Sequence, residues 1–219
     1  MQVLYFSKSF LDVKLRVWSF RPMHTLSIKS SFFDHASHIH GRLHTLRVMY
    51  WTKLLSDYVQ NTEDAHPWQG LTADEKTQAG KLAFCAAVIH DCARQHDGKC
   101  TDHGLYAAQT KRWIVEQELY KGEVPEEDWS IIERALILHC RDEGELSSSV
   151  ADLALALLKD ADAIDRVRLH YSGPKPEFLR FPVSPGLVPQ ARTLLHWTHA
   201  KDRVDWADLL ERERLTRGN

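Results

Sequence analysis

None of the four cysteines, Cys85, Cys92, Cys100 and Cys140, stands in a Cys-x-x-Cys pair. Zinc ribbons and thioredoxin-type redox motifs are therefore excluded. Cys85 and Cys140 fall inside apolar helical runs, where a free thiol serves as a small hydrophobe, and all four read as reduced thiols of a cytoplasmic protein. Long apolar runs are missing as well. The longest, Leu82–Ile89, is far short of the ~20 residues that span a bilayer. The apolar N-terminus is interrupted by Lys8, Asp12, Lys14 and Arg16 and lacks the core of a signal peptide. No membrane partner is expected, and cytoplasm is the default location. An excess of positive charge is also lacking. The net charge of −2 argues against nucleic acid as a partner, although one local basic groove would restore it.

Histidine, by contrast, occurs 13 times in 219 residues, and it is the commonest metal ligand and proton shuttle near neutral pH. The length suits one large domain with a short extension. Residues 1–32 read as an N-terminal extension, with Val13–Val17 alternating apolar and basic in the period of a strand. Residues 33–219 read as one all-α domain that includes two C-terminal amphipathic helices. Helices are predicted over 42–60, from Ala79 to Ala93, from Asp102 to about Tyr120, from Pro125 to Cys140, over 150–168, 188–199 and 203–216. Thr72-Ala73-Asp74-Glu75 reads as a capping box that starts the helix running through Ala79 to Ala93, which becomes apolar nearly all round, and Ser147–Ser149 read as the cap of the helix over 150–168. Ser172–Gly186 reads as a long loop.

Three of the apolar helices end in acid or histidine. Leu82–Ile89 runs into His90-Asp91, Ile131–Leu138 into His139, and Leu153–Leu158 into Asp160, Asp162 and Asp165. A buried carboxylate without a partner costs several kcal/mol, by rough estimate. Taken singly, a His-Asp pair is more often a hydrogen-bonded structural pair, His139 a residue favoured by the helix dipole, and the aspartates a solvated helix end. Three such endings in one chain point to a common site, and a divalent cation would compensate all three.

The order of these blocks resembles the HD superfamily of metal-dependent phosphohydrolases over roughly residues 38–170. His40-Gly41-Arg42-Leu43-His44-Thr45-Leu46-Arg47-Val48 is similar to an H-G-x-x-H-x-x-R-V block of one branch. His90-Asp91-Cys92-Ala93-Arg94 with Asp97-Gly98 is similar to H-D-x-x-R followed by D-G. Asp102-His103-Gly104 and Lys159–Arg166 complete the series. The resemblance implies an HD-domain-like helical bundle in which His44, His90, Asp91 and Asp162 hold one divalent ion (Mn, Fe, Co, Ni, Zn or Mg). Asp160 is the runner-up for the last position, because the two aspartates point to nearly opposite sides of a helix. Asp165 would orient a ligand. His103 and His139 would hold a second metal or contact phosphate, Asp91 would bridge two metals, and Arg94 would clamp phosphate.

The implied activity is hydrolysis of a phosphate ester, of a nucleotide or a related small phosphorylated metabolite, by metal-activated water. The alternatives are a di-iron oxygenase of the same fold and a nucleotide-binding regulatory domain without turnover. Arg166 and Arg168 read either as lining the pocket or, more commonly, as a solvated face, and Trp197 and Trp206 read as core. The extension leaves a homodimer open. The sequence does not name the substrate, because the loops at 61–72, 95–102 and 171–186 carry no readable code.

Overall fold

The structure is a computed structural model that describes residues 26–63, 65–169 and 173–217. Among them every regular element is helical and no strand occurs. The strand-like pattern of Val13–Val17 lies outside the described residues. The main helices are α1 (Arg42–Asn61), α2 (Ala73–Ile89), α3 (His103–Thr110), α4 (Arg112–Val115), α5 (Glu126–Leu138), α6 (Val150–Ile164), α7 (Ser184–His199) and α8 (Trp206–Arg217).

Helix α2 is the central rod. It packs against α1, α5 and α6, and α3 and α7 cover the outer faces of α5 and α6. Its start is the capping box read from the sequence: Thr72 Oγ1 accepts from Glu75 N, and the Glu75 side chain accepts from Thr72 N. Its second half, Leu82–Ile89, is buried on every side, as expected for a helix apolar all round. It ends at Ile89, and turns carry the chain to Ala93, with Cys92 N donating to Ile89 O at 3.0 Å and Arg94 N to Asp91 O at 3.2 Å. Asp91 and Arg94 therefore sit on a tight bend at the foot of the rod.

The other starts are also local. Pro125 precedes α5, whose first turn holds Glu126, Glu127 and Asp128 against the positive helix end. Ser149 caps α6 by accepting from Asp152 N at 3.1 Å. One expectation fails in detail. The helix predicted from Asp102 to Tyr120 is broken at Lys111 (φ −115°, ψ 6°) and resumes as α4 and a π turn over Glu116–Tyr120. The buried Lys111 is ion-paired with Asp34, a tertiary contact that periodicity does not carry.

Residues 26–32 pack into the bundle, with Leu26, Ile28 and Phe32 buried. The segment after them is strapped across the foot of α2. Asp34 N donates to Cys92 O at 2.9 Å, Ser37 Oγ donates to Asp97, and Ser37 Oγ accepts from His40 N at 2.7 Å. The strap turns into α1 at Gly41, where a Cβ would lie 2.1 Å from Ser37 O. Only glycine fits that turn. Trp206 is fully buried, as the core reading of the sequence expects, and Trp197 is half-buried.

Candidate active site

Five imidazoles form a row through the bundle. His40 stands at the end of the strap, His44 in the first turn of α1, His90 at the end of α2, His139 at the end of α5 and His103 at the start of α3. Successive ring centroids are 5.9 Å apart from His40 to His44, 5.1 Å to His90, 5.4 Å to His139 and 4.8 Å to His103. Apart from His40 all are buried.

Three rings are tied by Nδ1 to a carbonyl three residues earlier. His90 Nδ1 donates to Ala87 O at 2.9 Å, His103 Nδ1 to Cys100 O at 2.9 Å and His139 Nδ1 to Leu136 O at 2.6 Å. A carbonyl only accepts, so these nitrogens carry a proton, and in a neutral ring Nε2 then keeps its lone pair. Burial, with His103 and His90 beside it, pushes His139 down to about 3. Burial likewise pushes His90 down to about 4. Both are neutral imidazoles near pH 7. Nε2 of His103 and Nε2 of His139 lie 2.9 Å apart. Two lone pairs at that distance repel unless a proton or another electrophile lies between them.

The approach of α3 to α5 that brings those rings together passes through Gly104. A Cβ there would lie 1.9 Å from Leu136 O and 3.1 Å from His139 Nδ1.

At the other end of the row His44 is surrounded by carboxylates. Its Nδ1 is 2.8 Å from Asp165 Oδ2, and its Nε2 is 3.2 Å from Asp162 Oδ1 and 3.3 Å from Asp91 Oδ2. Burial and Arg168 disfavour the charged ring, but Asp162, Asp165 and Asp91 outweigh them and raise it to about 9. His44 is therefore an imidazolium near neutrality. Asp165 is held in turn by Arg47, whose Nε and Nη2 donate at 2.7 and 3.1 Å, while Arg47 Nη1 donates to Thr198 Oγ1 at 3.0 Å.

Asp91 sits between the two ends. Its Oδ2 is 2.9 Å from His40 Nδ1 and its Oδ1 is 3.2 Å from His103 Nε2. Burial would raise this carboxyl, but His90 beside it and the bonds from His103, His40 and His44 hold it well below the usual carboxylate range. Arg94 lies alongside: Nη2 donates to Gly98 O at 2.8 Å, Nη1 is 3.2 Å from the His103 ring, and Nε has no hydrogen-bond partner.

The two aspartates of α6 diverge as their spacing requires. Asp162 faces the imidazoles; its side chain is 25% exposed and Oδ1 lacks a hydrogen bond of good geometry. Asp160 faces the opposite way, fully buried, and accepts from Arg180 N, Phe181 N and Ser184 Oγ at 2.9, 3.1 and 2.6 Å. It anchors the segment leading into α7.

All seven residues singled out from the sequence, His44, His90, Asp91, Arg94, His103, His139 and Asp162, thus meet in one place. Sequence reasoning gave no role to His40, although it stands in the same motif as His44. For Arg168 it favoured a solvated face over a place lining the pocket, and the structure has that side chain only 6% exposed and against the cluster. Several groups could hold a metal ion: His44, His90 and Asp162; His40, His44 and Asp91; and His103, His139 and Cys140, with the ligand atoms of each within 4.8 Å of one another.

A family model, the SidE phosphodiesterase (PDE) domain, matches residues 24–204. The chain belongs to that family. No curated protein and no solved structure matches it significantly. The chain is therefore a phosphate-ester-hydrolysing enzyme. Family membership also corrects the resemblance drawn from the motifs. The chain is not an HD-superfamily protein, and its helical bundle is not an HD domain. Hydrolysis by metal-activated water is overturned too, because family membership points to a SidE-type phosphodiesterase, a type that acts through a covalent phosphohistidine, and the di-iron oxygenase and the non-catalytic regulatory domain fall with it. The reason for the misreading is chemical. Buried imidazoles ordered by carboxylates serve a metal ion or a histidine nucleophile equally well, and short His/Asp motifs do not tell the two apart. Among the described residues no helix is long and apolar enough to cross a membrane.

Proposed function

We propose that this enzyme cleaves a phosphodiester through a covalent intermediate on His139. The observation that carries this reading is the His139–His103 pair. His139 Nδ1 is fixed on Leu136 O, its Nε2 lone pair faces the interior, and a second imidazole nitrogen stands 2.9 Å away. A neutral, oriented imidazole is a competent nucleophile near neutral pH. His90 shares the tautomer but is fully enclosed at 0% exposure, against 8% for His139.

His139 Nε2 attacks phosphorus, and the bond to the leaving oxygen breaks. That oxygen needs a proton from the far side of phosphorus. His103 is too close to the nucleophile to stand there, whereas His44 lies two rings away and is charged. His44 donates the proton and becomes neutral. Water then attacks the phosphoramidate, His44 takes its proton back, and the N–P bond breaks to release a phosphomonoester. Asp91 holds His40, His44 and His103 in register, Asp162 stabilises the charged His44, and Arg94 contacts phosphoryl oxygens.

A divalent ion (Mn, Fe, Co, Ni, Zn or Mg) would be held by His44, His90, Asp91 and Asp162, and a second by His103 and His139. When bound it would neutralise carboxylate and phosphoryl charge. Ion and proton compete for His44 Nε2, so chelation that leaves turnover unchanged or raised supports His44 as the acid, and chelation that abolishes turnover refutes it. The substrate in this reading is a small phosphorylated molecule, with nucleotides the first panel to test, and the protein acts in the cytoplasm. Light scattering on the full chain tests the accompanying proposal of a homodimer.

The decisive experiment quenches turnover of bis(p-nitrophenyl) phosphate in base, which preserves phosphohistidine. Mass spectrometry should find a nitrophenyl-phosphoryl adduct on His139, and His139→Gln should lower turnover at least roughly 10³-fold. Undiminished turnover in His139→Gln would sink the proposal.

A further inference from the structure

The guanidinium of Arg168 is buried beside the cluster with its hydrogen-bonding capacity only partly used. Its side chain is 6% exposed. Nε donates to Ile39 O at 2.9 Å, which fixes the side chain on the strap. Nη1 has no hydrogen-bond partner; its nearest carboxylate oxygen, Asp165 Oδ2, is 3.7 Å away and already engaged by His44 and Arg47. Nη2 is 3.7 Å from Asp162 Oδ1 and 3.3 Å from His40 Nδ1. That imidazole nitrogen cannot serve two masters. If it carries a proton it donates to Asp91 Oδ2 at 2.9 Å and offers Arg168 nothing; if it accepts from Arg168 it abandons Asp91.

A buried cation with unused donors is costly in a finished structure. At the rim of a site for an anion it is what a binding group needs. We propose that Arg168 is the substrate's phosphate clamp, presenting Nη1 and Nη2 to the two non-bridging oxygens of the phosphodiester. A planar fork matches that pair of oxygens. Arg168 stands at the His40–Asp162 end of the row and Arg94 at the His103 end, so the two guanidiniums bracket the scissile group. Ile39, by holding Nε, sets the fork's direction. This inference rests on the phosphodiesterase reading and adds to it the residue that recognises the diester.

The test measures binding separately from chemistry. Dimethyl phosphate and inorganic phosphate are titrated into the full chain and followed by ³¹P NMR. Arg168→Gln should weaken dimethyl phosphate about 10-fold or more, Arg168→Lys by an intermediate factor, and the exposed neighbour Arg166→Gln not at all. With bis(p-nitrophenyl) phosphate, Arg168→Gln should raise KM about 10-fold while kcat changes less. Equal binding by Arg168→Gln and the unaltered protein would overturn the clamp. Should Arg168→Gln fail to fold, Arg168→Lys decides, because unaltered binding with a point charge in place of the fork would overturn it too. Loss of dimethyl phosphate binding in Arg168→Gln, in a protein that forms no His139 adduct, would keep the clamp and refute only the histidine route.

Discussion

Asp160 and Asp162 lie two residues apart on one helix and live in opposite chemical worlds. Asp160 is sealed from water and accepts from two backbone amides, a hydroxyl and a guanidinium. Asp162 is partly open, shares His44 with two other carboxylates and keeps an oxygen poorly bonded. A buried polar group with every bond made belongs to the architecture. One left short of bonds, among others like it, marks the place where a ligand completes the set.

That contrast is open to attack by mutation. The largest expected effect is at Asp160. Asp160→Ala strands two amides and a guanidinium and should lower stability by about 3–5 kcal/mol in urea unfolding, with turnover per folded molecule retained. Asp162→Asn should do the reverse. Turnover falls roughly 100-fold, while stability falls by less than at Asp160, because the charged His44 keeps two of its three carboxylates. Equal destabilisation by both substitutions would erase the distinction. Gly104→Ala should cost about 1–3 kcal/mol by overpacking α3 against α5, and its turnover should drop even where the protein stays folded. The smallest effect is at the exposed capping box, where Thr72→Ala should cost about 1 kcal/mol and leave KM and kcat untouched.

Acidity probes the same contrast. The folded-state value of His44, about 9, lies above its ordinary 6.5, so its contribution is complete below pH 6.5 and is lost as pH rises through 9. His90 and His139, at about 4 and 3 against 6.5, work in the opposite sense. Below pH 6.5 the unfolded chain binds protons that the folded protein refuses, and stability falls. The depressed Asp91 and Asp165 add to the loss on the acid side. Urea midpoints should therefore peak near pH 6.5 and decline more steeply toward acid than toward alkali. A flat profile between pH 4 and 6.5 would show that the imidazoles do not fold as neutral groups.

Much of this was legible beforehand. The capping box of Thr72 and Glu75, the cap at Ser149 and the all-round apolar half of α2 are local signals, and they put the helices where they are. The convergence of His90, Asp91, His139 and the aspartates of α6 followed from apolar runs that end in polar residues, whereas His44, and Asp162 over Asp160, came only with the family resemblance. The break at Lys111 was hidden because the partner of Lys111, Asp34, lies 77 residues away and leaves no mark on local periodicity. The role of Asp160 was hidden because its partners are backbone amides, which leave no mark in a sequence. Arg168 looked solvated because an arginine beside a helix end usually is. The family was misread because the order of His/Asp blocks reports a cluster and not the use made of it.

The crossing at Gly104 gives the site an unusual dependence. The gap between the two facing imidazole nitrogens works like the jaw opening of a caliper, and its zero is set by a hydrogen atom on a residue that carries no charge and no reactive group. An alanine there would have to displace the carbonyl of Leu136, which is also the group that fixes the tautomer of His139. Spacing and protonation state would be lost in one step, through a change of a single methyl group.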